Sequence, residues 1–178
     1  MSEYITTYTG KHFFPLEPEA DLIVIEDIAH ALSLICRGNG HVKMFYSVGE
    51  HCISCAREAL HRGYTKSLAL ACLLHDAGEC YLSDVPRPFK KTLPLYQYRE
   101  DQLLDLIYEK FIGRRLTREE AERLREIDDA LLWYDLRDLL GENPGGEAPF
   151  LHVETKRSPR SFQEVEEEYL KLFFQLKM

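Results

Sequence analysis

The feature that most constrains the fold is an apolar run that ends in charged residues. Residues 68–74 read LALACLL, and His75, Asp76 and, one helical turn later, Glu79 follow directly. A helix that is apolar all round is buried. Burial and the negative end of the helix dipole both disfavour a carboxylate. The run therefore predicts a buried helix whose charged end is compensated by an arginine or a bound cation.

Three capping boxes mark further helices, because each hydroxyl can cap a free backbone N–H while the glutamate three residues later reaches back. The boxes are Ser47–Glu50, Thr117–Glu120 and Ser161–Glu164. The first helix should end at Gly63 and the second near Gly141, and the third runs towards the C-terminus. Apolar periodicity predicts three more helices at about 25–37, 66–78 and 94–112.

Two short segments suggest β structure. Residues 4–16, YITTYTGKHFFPL, have β-branched and aromatic residues on both sides of Gly10-Lys11, which is typical of a hairpin. FLHVET (150–155) is a candidate short strand that could pair with it. The expected fold is therefore mainly all-α. It is a compact bundle of about six helices with a small N-terminal hairpin, and residues 1–178 form one domain.

Composition limits the partners and the compartment. The net charge of −8 disfavours binding to a nucleic-acid polymer, whose affinity comes from lysine and arginine. No apolar run approaches the roughly 20 residues of a membrane span. The N-terminus, MSEYITTYTG, lacks the features of a signal peptide. We therefore expect a cytoplasmic protein that binds neither nucleic-acid polymers nor membranes.

Imidazoles and carboxylates from three predicted helices can meet at one point. His51 lies at the edge of an apolar stripe in the helix that begins at Ser47, and Asp128 lies beside an apolar stripe in the helix that begins at Thr117. Together with His75 and Asp76 they form a mixed ligand set that suits a divalent transition metal such as Mn, Co, Fe or Zn. Asp129 competes with Asp128 but points further from the apolar face.

Simpler interpretations exist for single members of this set. His75 alone could be a hydrogen-bonded core histidine, and Asp76 a polar stop at the end of a helix. Cys52 and Cys55 form a C-x-x-C pair that could bind zinc or act in redox chemistry. Both lie on the apolar face of a helix and no second pair accompanies them, so buried free thiols explain them better. The chain's odd cysteine count also disfavours a disulfide framework.

The order of these residues resembles the HD-domain metal-dependent phosphohydrolase superfamily. YSVGEH (46–51) and HDAGECYLSDVPRPFK (75–90) are similar to the branch that holds bacterial 5′-deoxynucleotidases. TYTGKHFFPLEP, DIAHALSLICRGNGH and LLWYDLRDLL resemble small bacterial and phage members, among them enzymes that hydrolyse dATP to deoxyadenosine and triphosphate. The resemblance covers most of residues 4–140 and implies the HD-type helical fold.

The resemblance also implies roles for individual residues. The metal ligands fall on His51, His75, Asp76 and Asp128. A glutamate that handles the water or the leaving group falls on Glu79, and a supporting acid on Asp84. Phosphate-binding cations fall on Lys90 and Arg37, although Arg37 could instead favour a helix C-terminus and Lys90 could be a solvated surface residue. Two positions depart from the pattern: Asp135, where the small bacterial and phage set tends to have glutamate, and Gly38, where deoxynucleotidases tend to have a bulky residue.

The implied activity is hydrolysis of a deoxynucleotide phosphoester, with Mg²⁺ as a further metal that could join through substrate phosphates. A dNTP yielding triphosphate is the first expectation, and 5′-deoxynucleotidase activity on dNMPs is the alternative. Extra cations near the pocket would favour the triphosphate, and the candidates are His41, Lys43, Arg87 and Lys90. A catalytically silent metal-binding regulatory module is the second alternative. An enzyme for cyclic dinucleotides or alarmones fits less well, because such enzymes generally carry additional motifs. A homodimer or higher homo-oligomer is consistent with the resemblance.

Overall fold

The computed structural model describes residues 3–178, and this part of the chain is mainly helical. Its helices, in chain order, are α1 (Ile25–Leu34), α2 (Val48–His61), α3 (Lys66–Leu74), α4 (Glu79–Leu82), α5 (Arg87–Lys90), α6 (Pro94–Ile112), α7 (Arg118–Asp135) and α8 (Phe162–Lys177). The helices α4 and α5 are single turns, and the six longer ones match the six predicted helices in position. The mainly α prediction is therefore confirmed. Among the described residues, no helix has both the length and the apolar character needed to cross a membrane.

The predicted N-terminal hairpin is present. Strands β1 (Ile5–Thr6) and β2 (His12–Phe13) pair antiparallel, with Ile5 opposite Phe13. Asp27 of α1 holds the intervening turn, because its carboxylate accepts hydrogen bonds from the backbone N–H of Thr9 at 2.6 Å and from the Thr9 hydroxyl at 3.0 Å. The hairpin is therefore fixed to the helical core.

All three capping boxes form as predicted. The hydroxyls of Ser47, Thr117 and Ser161 each accept the backbone N–H three residues later, and the glutamate at that position accepts in return. A helix cap of this kind typically contributes about 1 kcal/mol. The caps therefore fix where α2, α7 and α8 begin.

Helix α3 lies at the centre of the core, packed against α2, α6, α7 and α8. Residues 68–74 are all buried, as the apolar run predicted. The helix is shorter than expected and ends at Leu74 instead of residue 78. The carbonyl oxygen of Leu74 accepts the N–H of Ala77, and that of Asp76 accepts the N–H of Glu79, so tight turns replace the helical bonds. His75 and Asp76 thus lie on the turn between α3 and α4.

The C-terminal helix packs in the core. Val165, Tyr169 and Phe173 are buried on the face of α8 that meets α1 and α3, and the Tyr169 hydroxyl donates to the carbonyl oxygen of Leu73 at 2.6 Å. Leu170 is partly buried, whereas Phe174 is exposed. Most of the apolar face of α8 is therefore covered within the chain.

The predicted strand at 150–155 is wrong. This segment has no regular structure, and within residues 3–178 the sheet consists of β1 and β2. The buried carboxylate of Glu58 on α2 accepts the backbone N–H groups of His152 and Val153 at 2.8 and 3.1 Å. It also accepts from the side chains of His152 and Arg62. The N–H groups that a strand would use for pairing thus bind a side chain instead.

Another difference from the prediction is the end of α7. The α-helical part stops at Asp135, and a π-helical turn over Leu136–Leu140 leads into Gly141. Gly141 has φ +72°, which favours glycine at this position. The predicted helix end near Gly141 is correct, but the last turn is wider than an α-helix.

Glu58→Gln should destabilise the fold in a pH-dependent way. Burial favours a higher pKa for Glu58, but hydrogen bonds from Arg62 and His152 outweigh it and lower the pKa below its ordinary value. The ionised form therefore stabilises the protein above the unfolded-state pKa of about 4.3, and this contribution disappears as the pH falls through the lower folded-state pKa. We expect Glu58→Gln to lower the free energy of unfolding at neutral pH by about 1–3 kcal/mol.

Urea unfolding at a series of pH values measures this effect, with the exposed Glu167→Gln as a control that should match the wild type. The difference between Glu58→Gln and the wild type should shrink below about pH 4. An unchanged difference in acid would show that the charge on Glu58 is not what stabilises the segment.

Candidate metal centre and adjoining cavity

His51 lies fully buried on α2 and faces two carboxylates of α7. Its Nε2 is 3.0 Å from Asp128 Oδ1, and its Nδ1 is 3.3 Å from Asp135 Oδ2. Asp128 and Asp135 are seven residues apart, which places them on one face of a helix. A single imidazole therefore connects α2 to both acids.

The His75 side chain is held by the last turn of α3. Its Nδ1 donates to the carbonyl oxygen of Cys72 at 2.8 Å, which orients the ring so that Nε2 points towards the carboxylates. Nε2 lies 3.3 Å from Asp76 Oδ2 and 3.8 Å from Asp128 Oδ1. A backbone carbonyl that fixes the far nitrogen is the usual support of a metal-binding histidine.

Donor atoms of these residues converge. One atom each from His51, Cys55, His75 and Asp128 lies within 4.8 Å of the others, and Cys52, His75 and Asp76 form an overlapping group. Within residues 3–178, His75 Nε2 and Asp76 Oδ2 are buried without a hydrogen-bond partner. A buried polar atom left unpaired costs about 1–3 kcal/mol. The donor set and its unpaired atoms fit a cation, so this buried group could hold a metal ion.

Positive groups of the protein itself compensate the carboxylates. Burial lowers the pKa of His75, but several nearby groups, Asp76 foremost, together outweigh it, so the pKa is well above its ordinary value. Arg37 lies 3.6 Å from Asp76 and 3.4 Å from Asp135. Arg87 bridges Asp128 and Asp129 at 2.6 and 2.8 Å. The arginine compensation that the apolar run predicted is therefore present. A metal ion could still bind beside these arginines, because metal binding releases protons from its ligands.

Asp128 and Asp129 have different surroundings. The Asp128 side chain is 17% exposed and faces both imidazoles, whereas Asp129 is 51% exposed and contacts Arg87 at the surface. Interactions with His51 lower the pKa of Asp128 far below its ordinary value, against the opposing effect of burial. The structure brings Asp128, and not Asp129, to the histidines.

The two cysteines of the C-x-x-C pair are buried free thiols, as expected. They nevertheless lie closer to the histidines than the sequence interpretation anticipated, with Cys55 Sγ 3.5 Å from His51 Nε2. The spacing of four residues between His51 and Cys55 places both on one helix face and could have indicated this contact. Burial raises the pKa of both thiols, so a metal ion that bound them would have to displace their protons.

A cavity of about 790 Å³ opens beside the converging donors. The predicted site residues in its lining are Arg37, Asp76, Glu79, Asp84, Lys90 and Asp128. His51 and His75 lie behind this surface, since both rings are almost fully buried. All eight predicted site residues thus lie in or directly behind one cavity wall.

Glu79 is the most unusual acid of the cavity. It is buried, and within the described chain its Oε2 has no hydrogen-bond partner. Burial, followed by the charges of Asp76 and Asp84, raises its pKa well above the ordinary value. Glu79 therefore holds a proton more readily than an ordinary glutamate.

Asp84 and Lys90 are positioned by contacts with α6. The Tyr96 hydroxyl donates to the carbonyl oxygen of Ser83 at 2.8 Å, and Ser83 has φ +72°, an unfavourable value for a residue with a side chain. Lys90 Nζ lies 2.7 Å from Glu100 Oε1. The start of the connection between α4 and α5 and the end of α5 are therefore both tied to α6.

Arg87, Asp135 and Arg157 also belong to this site. From the sequence, Arg87 is only a candidate cation, Asp135 is only a departure from the family pattern, and Arg157 has no assigned role. Asp135 accepts from Arg157 at 2.8 Å while it also faces His51 and Arg37. The seven-residue spacing from Asp128 is a signal for Asp135. For Arg87 and Arg157 the sequence contains no such local signal, because their partners lie far away in the chain.

Comparison with known proteins gives two curated relatives, and no protein-family model matches the chain. The uncharacterized protein YfdR of Escherichia coli (strain K12) is 41% identical over 108 residues, which make up 61% of this chain and 58% of YfdR. An uncharacterized protein of Rhodobacter capsulatus is 35% identical over 109 residues, which make up 58% of this chain and 55% of the relative. The chain thus matches somewhat more than half the length of these relatives. Neither name states an activity.

Asp128→Asn should weaken divalent metal binding much more than Asp129→Asn. Both variants lose one contact to Arg87, but Asp128 also faces the two histidines. We expect at least about a tenfold loss of Mn²⁺ or Co²⁺ affinity for Asp128→Asn and about the wild-type value for Asp129→Asn. Isothermal titration calorimetry measures both, and equal losses in the two variants would contradict the placement of the site.

Proposed function

We propose that this chain is an HD-type, metal-dependent phosphohydrolase that acts on deoxynucleotides and most readily converts a dNTP to a nucleoside and triphosphate. The observation that carries the proposal is the convergence of His51, His75, Asp76 and Asp128, from three parts of the fold, on the wall of one cavity. Two imidazoles and two carboxylates are a ligand set suited to Mn, Co, Fe or Zn.

The charge of the cavity supports a bound cation. Six carboxylates line it, those of Asp76, Glu79, Asp84, Asp128, Asp135 and Glu142, against three lysine or arginine side chains. Such a surface repels a phosphate unless a divalent ion neutralises part of it. A metal ion is therefore the simplest way for this cavity to accept an anionic substrate, and Mg²⁺ could add to it through the substrate phosphates.

The size and the cations of the cavity support a nucleoside triphosphate. Small-molecule sites typically measure about 300–1,000 Å³, and this cavity is about 790 Å³. Three of the four candidate cations line it, namely His41, Arg87 and Lys90. Arg37 lines it as well. Lys43 is not in the lining. Its backbone N–H instead donates to the carbonyl oxygen of Leu139.

Each residue of the chain then has a role. His51, His75, Asp76 and Asp128 would hold a divalent ion, which would supply Lewis acidity and lower the pKa of a water molecule. Glu79, buried beside the cavity with a raised pKa, is placed to act as the general acid that donates a proton to the departing oxygen. Arg37 and Lys90 bind phosphate oxygens, with Arg37 presenting a planar pair of donors. Asp84 supports Glu79 or accepts from the sugar.

A dNMP remains the alternative substrate because the cations are partly engaged. Arg37 faces Asp76 and Asp135, Arg87 bridges two aspartates, and Lys90 pairs with Glu100. If these pairs persist when substrate binds, less positive charge is available for a triphosphate. Gly38 lines the cavity with φ +59°, which favours glycine, and a side chain there would contact Leu140 and Val42.

Product analysis on all canonical dNMPs and dNTPs, with Mn²⁺, Co²⁺, Zn²⁺, Fe²⁺ and Mg²⁺ in turn, tests the proposal. We expect release of triphosphate from at least one dNTP, and loss of both turnover and metal binding in Asp76→Ala. Release of phosphate from dNMPs alone would select the alternative substrate. If the protein binds metal but turns over no nucleotide, the proposal of an enzyme is wrong and a regulatory metal-binding module is favoured.

Glu79→Gln should separate catalysis from metal binding. A glutamine keeps the shape of the side chain but cannot transfer a proton, so we expect kcat to fall by about 10²–10⁴-fold. Metal affinity should stay close to wild type, because Glu79 lies outside the ligand set. Glu142→Gln, which lines the same cavity at an exposed position, is the matched control and should keep its activity. Equal activity of Glu79→Gln and the control would refute the proton-donor role.

A further inference from the structure

A second cavity, of about 480 Å³, lies between the outer face of α2 and the segment 152–160. It shares no lining residue with the cavity of the candidate metal centre. Glu58 holds the start of this segment against α2 through the N–H groups of His152 and Val153. The cavity is therefore built by a fixed segment of chain and not by a free loop.

The second cavity is rich in positive groups although the whole chain has a net charge of −8. Its basic lining residues are Arg57, His61, His152, Lys156, Arg157 and Arg160. Two glutamates also line it, Glu50 and Glu154. The Glu50 carboxylate is occupied by the capping box of α2, where it accepts from the N–H and the hydroxyl of Ser47. The lining thus has an excess of positive charge.

Arg157 lines this cavity and carries a donor that has no partner among the described residues. Its side chain is only 6% exposed, donates through Nη2 to Asp135 at 2.8 Å, and lies with its guanidinium carbon 4.6 Å from the centre of the Tyr46 ring. Its Nε is buried and has no hydrogen-bond partner within residues 3–178. Leaving such a donor unpaired costs about 1–3 kcal/mol, so a ligand that accepts from it would bind favourably.

The other basic side chains of the second cavity differ in whether they are already paired with a carboxylate. Arg57 and Arg160 both pair with Glu168, which holds them at the edge of the cavity. Lys156 and His61 are exposed, and neither forms an ion pair with a carboxylate in the described part of the chain. These two side chains can turn towards a ligand without breaking an existing pair.

We propose that this second cavity is a binding site for a small phosphorylated anion with at least two negative charges. Several cations around one cavity favour a multiply charged ligand over a single carboxylate. Guanidinium groups present parallel donors that match phosphate oxygens. Arg157 contributes a buried guanidinium, Lys156 contributes a mobile charge, and the exposed His61 contributes a ring nitrogen that can hydrogen-bond to the ligand.

The test uses inorganic tripolyphosphate as the probe, with the full chain in a chelator-containing buffer of constant ionic strength. Without divalent ions, the carboxylate-rich first cavity disfavours this anion. Calorimetric titration should give one site for the wild type. The Lys156→Ala/His61→Ala double variant should bind about tenfold more weakly, as expected for the loss of one charged and one neutral hydrogen-bond contact.

Lys90→Ala is the matched control, because Lys90 lines the first cavity and not the second. It should bind the probe as tightly as the wild type. Thermal unfolding of each variant without the probe shows whether its fold is intact. We expect the double variant to unfold at the wild-type temperature, because Lys156 and His61 are exposed. Absence of wild-type binding, or a loss in Lys90→Ala with none in the double variant, would overturn the proposal.

Discussion

The candidate site depends on the complete burial of α3. Seven consecutive apolar residues anchor this helix among four others, so the turn that follows it has one position in the fold. Asp76 and the ring of His75 are therefore held where α2 and α7 present His51 and Asp128. An amphipathic helix at this place would leave the turn nearer the solvent, where water rather than a cation could satisfy the carboxylates.

The charges around this point form one connected network. Asp135 faces His51, Arg37 and Arg157, while Asp128 faces both histidines and Arg87. Each acid thus has several positive or imidazole partners, which is how a protein keeps carboxylates ionised in a buried setting. The network reaches from the wall of the first cavity, through Arg157, to the second cavity on the other side of α2.

The sequence predicts those parts of the fold that local rules control. Ser47, Thr117 and Ser161 mark helix starts because a cap involves only residues three positions apart. The meeting of His51, His75 and Asp128 is also indicated by local patterns, since His51 and Asp128 lie beside buried stripes and His75 follows a buried helix. The segment 150–155 was mistaken for a strand because its partner, Glu58, lies 94 residues away in the chain. The pairing of Arg87 with Asp128 and of Arg157 with Asp135 depends on similarly distant contacts, which periodicity does not reveal.

The central claim is that the imidazoles and carboxylates at the end of α3 bind one metal ion. Anomalous X-ray diffraction from crystals grown with Mn²⁺ or Co²⁺ tests it directly, because the signal marks the ion without assuming any activity. The account predicts one strong peak bounded by His51, His75, Asp76 and Asp128. A chain with no peak there, or with the ion bound only at another place, would contradict it.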